Sequence, residues 1–112
     1  MKLDKETSEN LQELQVLEQN MQGFLMQKQA FQMELNETEA ALEELKKAKP
    51  NEVYRILGQI MVKTEKDKAE QELEDKKNLL TLRLKSIEKQ EKSIKDRVDS
   101  LREKVTKKMS SK

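Results

Sequence analysis

The sequence predicts a mainly α protein, an antiparallel two-helix coiled-coil hairpin with one β-hairpin at the connection. Three observations predict it. Apolar residues recur at steps of three and four through two long stretches. A proline followed by a short β-branched run separates the two stretches, and the sign of the charge reverses from one to the other. The 112 residues are 40% charged and 3% aromatic, with no Trp, Cys or His. A single domain over 1–112 is the most this length holds, and without large aromatic side chains to fill one core it is an elongated helical domain.

The first helix is expected over about 5–48. From Leu14 the seam runs Leu14, Leu17, Met21, Phe24, Lys28, Phe31, Leu35, Thr38, Leu42 and Leu45, with Lys28 as an interruption and Gln, Glu and Lys at most other positions. Gly23 is the one weak helix former inside it, at a cost of about 1 kcal/mol relative to alanine. The helix ends at Ala48-Lys49-Pro50-Asn51, because Pro50 lacks the backbone donor and biases Lys49 towards extended backbone.

A β-hairpin follows over about 52–64. Val53, Tyr54, Ile56, Leu57, Ile60, Met61 and Val62 supply strand formers, and Gly58 supplies the positive φ of a tight two-residue turn. If Leu57 pairs with Ile60, then Val53, Arg55 and Val62 share one face while Tyr54, Ile56 and Met61 share the other, so both faces are partly apolar. Such a hairpin is marginal alone, and its open edges and two apolar faces imply strand exchange with other subunits. The alternative is that it only caps the end of a monomeric helical hairpin.

The second helix is expected over about 66–109, with Thr64 or Asp67 as its cap. Its seam is Leu73, Leu80, Leu84, Ile87, Glu91, Ile94, Val98, Leu101 and Val105. Residues 1–45 carry a net charge of −7, residues 46–82 carry +2 and residues 83–112 carry +6. Opposite signs attract when the chain folds back, so the basic segment is read as a partner-neutralised helix face and not as a nucleic-acid site. Antiparallel pairing from helix ends near 47 and 66 makes the numbers of facing residues add to roughly 113, which sets Phe31 beside Leu80 or Leu84.

These residues exclude several classes of function. Without His the commonest general base and the commonest metal ligand are missing, leaving carboxylates, lysines and hydroxyls, and clusters such as Glu43-Glu44 read as ordinary solvated charges. Gly23 and Gly58 are isolated, so no phosphate-cradling loop is present. No catalytic residue, metal or cofactor is expected. The polar start, Met1 to Asn10, and the lack of any long apolar run point to a soluble, cytoplasmic protein that does not engage a membrane.

The layout of helix, single hairpin and returning helix resembles a β-type prefoldin subunit. The stretch Glu52 to Thr64 looks like that family's V-Y/F-K/R-x-x-G-x-x-L/M-V-K motif and continues into Ala69-Glu70-Gln71-Glu72-Leu73. Upstream, Gln27-Lys28-Gln29, Leu35-Asn36-Glu37-Thr38 and Ala41-Leu42-Glu43-Glu44-Leu45 resemble the family's first helix. The single hairpin separates it from the α-type subunit, which has two, and a eukaryotic subunit 6-like member fits the same residues. The resemblance implies an ATP-independent co-chaperone, built in archaea as a hexamer of two α-type and four β-type subunits. The hairpins then form a β-barrel platform, and coiled-coil tentacles hold unfolded client proteins for a group II chaperonin.

On that reading the assembly residues are Val53, Tyr54, Ile56, Leu57, Gly58, Ile60, Met61 and Val62. The client-binding tip draws on Leu11, Leu14, Val16, Leu17, Met21, Leu25 and Met26, together with Leu101, Val105 and Met109 near the other end of the chain. Leu11, Val16, Leu25 and Met26 lie off the first seam, where a two-stranded coil alone calls for polar residues. They either accept apolar client segments or broaden the packing of the coil. Phe31, Leu35, Leu42, Leu80, Leu84 and Ile87 are expected in the core. The other reading of the whole chain is a coiled-coil scaffold or dimerisation module without client binding.

Overall fold

A computed structural model describes residues 4–110, so the outermost residues of the expected 1–112 domain lie outside it. The element order is α1 (Lys5–Lys47), a 3-10 turn (Pro50–Glu52), β1 (Tyr54–Leu57), β2 (Ile60–Lys63) and α2 (Lys66–Ser110). Two long helices joined through a two-stranded antiparallel hairpin are the fold class that the heptads and the strand-like insert predict. The chain divides into two compact units. One comprises residues 30–84 and the other the two terminal segments, 1–29 with 85–112.

In the 30–84 unit, Leu35, Leu80 and Leu84 form a buried cluster and Phe31 packs against it, which is the neighbourhood expected for Phe31. The Arg83 guanidinium lies 5.8 Å from the centre of the Phe31 ring, a cation–π distance. Thr38 occupies a seam position with little cost to the helix, because its hydroxyl donates to the Glu34 carbonyl at 2.8 Å while the residue is buried. Glu34 also pairs with Lys76 across the two helices at 3.2 Å.

The connection is built from local rules. Lys49 is extended, with φ −73° and ψ 150°, as the residue before a proline must be, and Pro50 opens the 3-10 turn. Lys66, the first residue of α2, donates its ammonium to the carbonyls of Lys46 at 3.2 Å and Ala48 at 2.8 Å. It thereby satisfies acceptors that the end of α1 leaves open, on the negative end of that helix's dipole. Because α2 begins at Lys66, Thr64 stands two residues ahead of it and Asp67 is already helical. The expected cap at Thr64 or Asp67 is therefore corrected: neither occupies the residue that immediately precedes the helix.

The strands pair Tyr54 with Lys63, Arg55 with Val62, Ile56 with Met61 and Leu57 with Ile60, the register expected from the sequence. Gly58 has φ +61°, and no other described residue has positive φ. With the glycine first and Gln59 at negative φ, the turn matches type II′, whose twist suits a two-residue hairpin.

In the terminal unit, Ile87, Val98, Leu101 and Val105 of α2 are buried. Ion pairs flank this core: Asp4 with Lys108 at 3.0 Å, Glu13 with Arg97 at 3.0 Å and Glu18 with Arg102 at 2.6 Å. In each of these the acid comes from the start of the chain and the base from α2, so the charge reversal seen in the sequence is spent on pairing. The numbers of the paired residues add to 110 for Glu13 with Arg97 and 120 for Glu18 with Arg102, bracketing the antiparallel expectation. Asp4 also caps α1. Its Oδ1 accepts the Thr7 N–H at 2.7 Å and its carbonyl accepts the Ser8 N–H at 3.0 Å.

Lys28 and Glu91, the charged residue in each seam, face one another in the same unit with Nζ and Oε1 3.4 Å apart. A polar pair at seam positions fixes which turns of two helices face each other, at some cost in stability relative to an apolar pair.

Two outcomes are expected. Replacing Lys28 with Leu leaves Glu91 unpaired in the seam and should lower stability by about 1 kcal/mol, a fall of roughly 4–8 °C in Tm. The double change Lys28→Leu with Glu91→Leu should melt at or above the parent. Calorimetry of the three chains checks both. Asp4 gives a pH dependence of known sign. Its hydrogen bonds to Thr7, with help from Lys108, hold its carboxyl below its ordinary value of 3.8. The folded chain therefore gains from an ionised Asp4 above that value, and the gain disappears as pH falls through and below it. Protection of the first-turn amides of α1, measured relative to their intrinsic exchange rate, should fall below about pH 4 in the parent, and an Asp4→Asn chain should lack that step.

Candidate functional site

The chain exposes a set of large apolar side chains. In the 30–84 unit the hairpin leaves Tyr54, Ile56, Leu57, Ile60, Met61 and Val62 exposed, and among the residues expected to drive assembly only Val53 is buried. Gly58 forms the turn between them. The paired strands form a sheet of two, so each has one outer edge without a strand beside it among the described residues. Arg55 of β1 reaches Glu72 of α2 in an ion pair. The hydrogen bond between them holds the Glu72 carboxyl below its usual range and raises the Arg55 guanidinium.

The terminal unit offers a second surface, and the two helices contribute to it unequally. Val16, Leu25 and Met26 of α1 are exposed, Met26 at 70%, and Met109 of α2 is exposed as well. Leu11, Leu14, Leu17 and Met21 are half-buried, and so is Phe24. The seam of α2 is more completely covered there than the seam of α1. Outside its half-buried seam, α1 therefore exposes separate apolar side chains at Val16, Leu25 and Met26.

Two expected tip residues are corrected. Leu101 is 0% exposed and Val105 is 8% exposed, so neither presents a surface in this chain. Both occupy seam positions of α2, where the heptad turns the side chain towards α1. Nearness to the end of the chain does not override that geometry.

Sequence reasoning passed over a further group. Met33 of α1 and Leu79 and Leu82 of α2 are exposed in the 30–84 unit. All three lie outside the seams, as Val16 and Met26 do, so counting apolar residues off the heptad along the whole chain would have found them. The Arg55–Glu72 pair carried no such signal, because ion pairs between a strand and a distant helix turn depend on tertiary placement.

Among the described residues, no group of His, Cys, Asp and Glu is placed to hold a metal ion and no helix is long and apolar enough to cross a membrane.

Comparison with known proteins agrees with the geometry. The sequence signature of the prefoldin subunit family matches residues 8–112. The chain is 40% identical over 97 residues to a prefoldin subunit beta of Pyrococcus abyssi, covering 85% of this chain and 82% of that protein. It is 38% identical over 96 residues to a prefoldin subunit beta of Thermococcus onnurineus, covering 85% and 83%. The crystal structure of the prefoldin beta subunit from Thermococcus strain KS-1 superposes with a TM-score of 0.89 at 31% identity, over 99% of this chain and 98% of that one. Fold and sequence agree, and the chain belongs to the prefoldin family of chaperone subunits.

Proposed function

We propose that this chain is the β-type component of a prefoldin hexamer and acts as an ATP-independent holdase in the cytoplasm. It assembles through its hairpin with an α-type partner, in a ratio of two α to four β, captures unfolded proteins on its terminal unit and passes them to a group II chaperonin. The observation that carries the capture role is the exposure of large apolar side chains of α1 outside its seam. Val16, Leu25 and Met26 face solvent, while Leu11, Leu14, Leu17 and Met21 are half-covered. Unfolded clients expose apolar segments of varied shape, and methionine's flexible thioether accommodates such variety. Exposed apolar groups are costly on a helix pair that needs only its seam, so their presence on α1 favours binding over packing. The exposed hairpin supports assembly by a parallel argument, since open strand edges flanked by apolar side chains invite another strand.

Changing Val16, Leu25, Met26 and Met109 together to Ser removes up to about 1.5–3 kcal/mol of potential client burial per residue. Folding should be little affected, because all four are exposed in the chain. The variant should retain the parent's helicity and assembly but fail to suppress aggregation of a denatured test protein mixed with it. Undiminished protection would assign the chain to scaffolding, and an early melting transition would place these residues in the packed core. Assembly has its own test. Ile56→Lys with Ile60→Lys puts a charge on each face of the hairpin and should block the mixed oligomer with an α-type subunit while the monomer stays helical. The native mass, measured by light scattering, decides the result.

A further inference from the structure

The hairpin's two faces differ in a way that its sequence alternation does not show. On the face of Val53, Arg55, Val62, Leu57 and Ile60, exposure grows from Val53, which is 6% exposed, towards the turn. On the other face Tyr54, Ile56 and Met61 are exposed throughout, Ile56 at 72% and Met61 at 67%. Arg55 lies at the middle of the first face and is paired with Glu72 of α2. This is the one ion pair among the described residues that joins a strand to a helix.

The backbone has the same polarity. The Thr64 N–H donates to the Val53 carbonyl at 3.1 Å, which makes Val53 with Thr64 a hydrogen-bonded pair of the ladder. Pairs alternate, so the main chain of Arg55 and Leu57 faces Val62 and Ile60. The N–H and C=O groups of Tyr54, Ile56, Met61 and Lys63 therefore point away from the hairpin, towards its open edges. The residues that offer main-chain hydrogen bonds outward are the same ones whose side chains form the exposed face.

We propose that the Arg55–Glu72 ion pair is an orientation latch that holds the Arg55 face of the hairpin towards α2, so that the strand of a neighbouring subunit's hairpin docks on the edges and face of Tyr54, Ile56 and Met61. The occupant is a β-strand because only a strand supplies the alternating donors and acceptors that these edges lack. This rests on the assembly role proposed above for the hairpin. Arg55 is a positioning residue in this scheme and touches no partner. An ion pair of this exposure shifts populations only about two- to fivefold and weakens in salt. A latch of that strength biases the hairpin's direction while leaving it free to settle into an assembled sheet.

The test reads orientation and assembly separately. The chain has no cysteine, so nitroxide labels at Gln59→Cys in the turn and Asn78→Cys on α2 report the hairpin's direction by pulsed dipolar spectroscopy. The parent should give a narrow distance distribution. Arg55→Glu should broaden it and raise the concentration needed for half-assembly with an α-type prefoldin subunit by about fivefold. The exchanged pair, Arg55→Glu with Glu72→Arg, should restore both, and about 1 M salt should broaden the parent. A narrow distribution in Arg55→Glu, or no rescue by the exchange, overturns the latch. Assembly of Met61→Lys at the parent's concentration overturns the assignment of the face. If the parent forms no mixed oligomer, the assembly role falls, and the spectroscopic arm still decides whether the latch exists.

Discussion

Neither helix of this chain can bury its apolar stripe alone, and every other feature depends on that. An isolated helix with a heptad stripe exposes about two apolar residues in each seven, and its stability in water comes mainly from covering them. Folding the chain back lets Leu35, Leu80 and Leu84 cover one another in one unit, and it encloses Leu101 in the other. The reversal requires a break in the helix, which Pro50 provides, and the break in turn leaves room for a hairpin.

The charged groups decide direction where the apolar groups decide association. Leucine seams tolerate sliding, because one leucine resembles the next. Lys28 opposite Glu91 tolerates it poorly, since a slip of one turn would set each charge against an isoleucine or phenylalanine of the other seam. The pairs of Asp4, Glu13 and Glu18 with bases of α2 add direction, as a parallel arrangement would set acid beside acid. Lys66 does similar work at the connection by tying the start of α2 to the carbonyls that end α1. Each contact is weak on its own, and each excludes a specific wrong arrangement.

The exposed apolar surfaces are what remains after the seam is satisfied. Val16, Leu25 and Met26 are apolar where the heptad asks for polar residues, and the hairpin is apolar on both faces. A chain selected for stability and solubility alone would carry neither feature. On the function proposed above such exposure has a use, because binding apolar segments of other chains requires apolar surface that folding has not consumed.

Periodicity and local stereochemistry were legible in the sequence because they depend on residues close together in the chain. The heptads, the stop at Pro50, the turn at Gly58 and the pairing of Leu57 with Ile60 all follow from spacings of seven residues or fewer. The off-seam positions of Val16 and Met26 were legible for the same reason. Burial was harder to read near the chain ends. Leu101 and Val105 lie on the seam by spacing, yet proximity to the termini suggested a surface, and their neighbours across the helix pair decided otherwise. The cap by Asp4, the bond from Lys66 to the end of α1 and the pair of Arg55 with Glu72 were not legible at all. Charged residues are abundant in this sequence, and composition gives each of them many possible partners. Only the tertiary structure brings one partner within a few ångströms and leaves the others in solvent, because a Coulomb contact depends on distance and not on order along the chain.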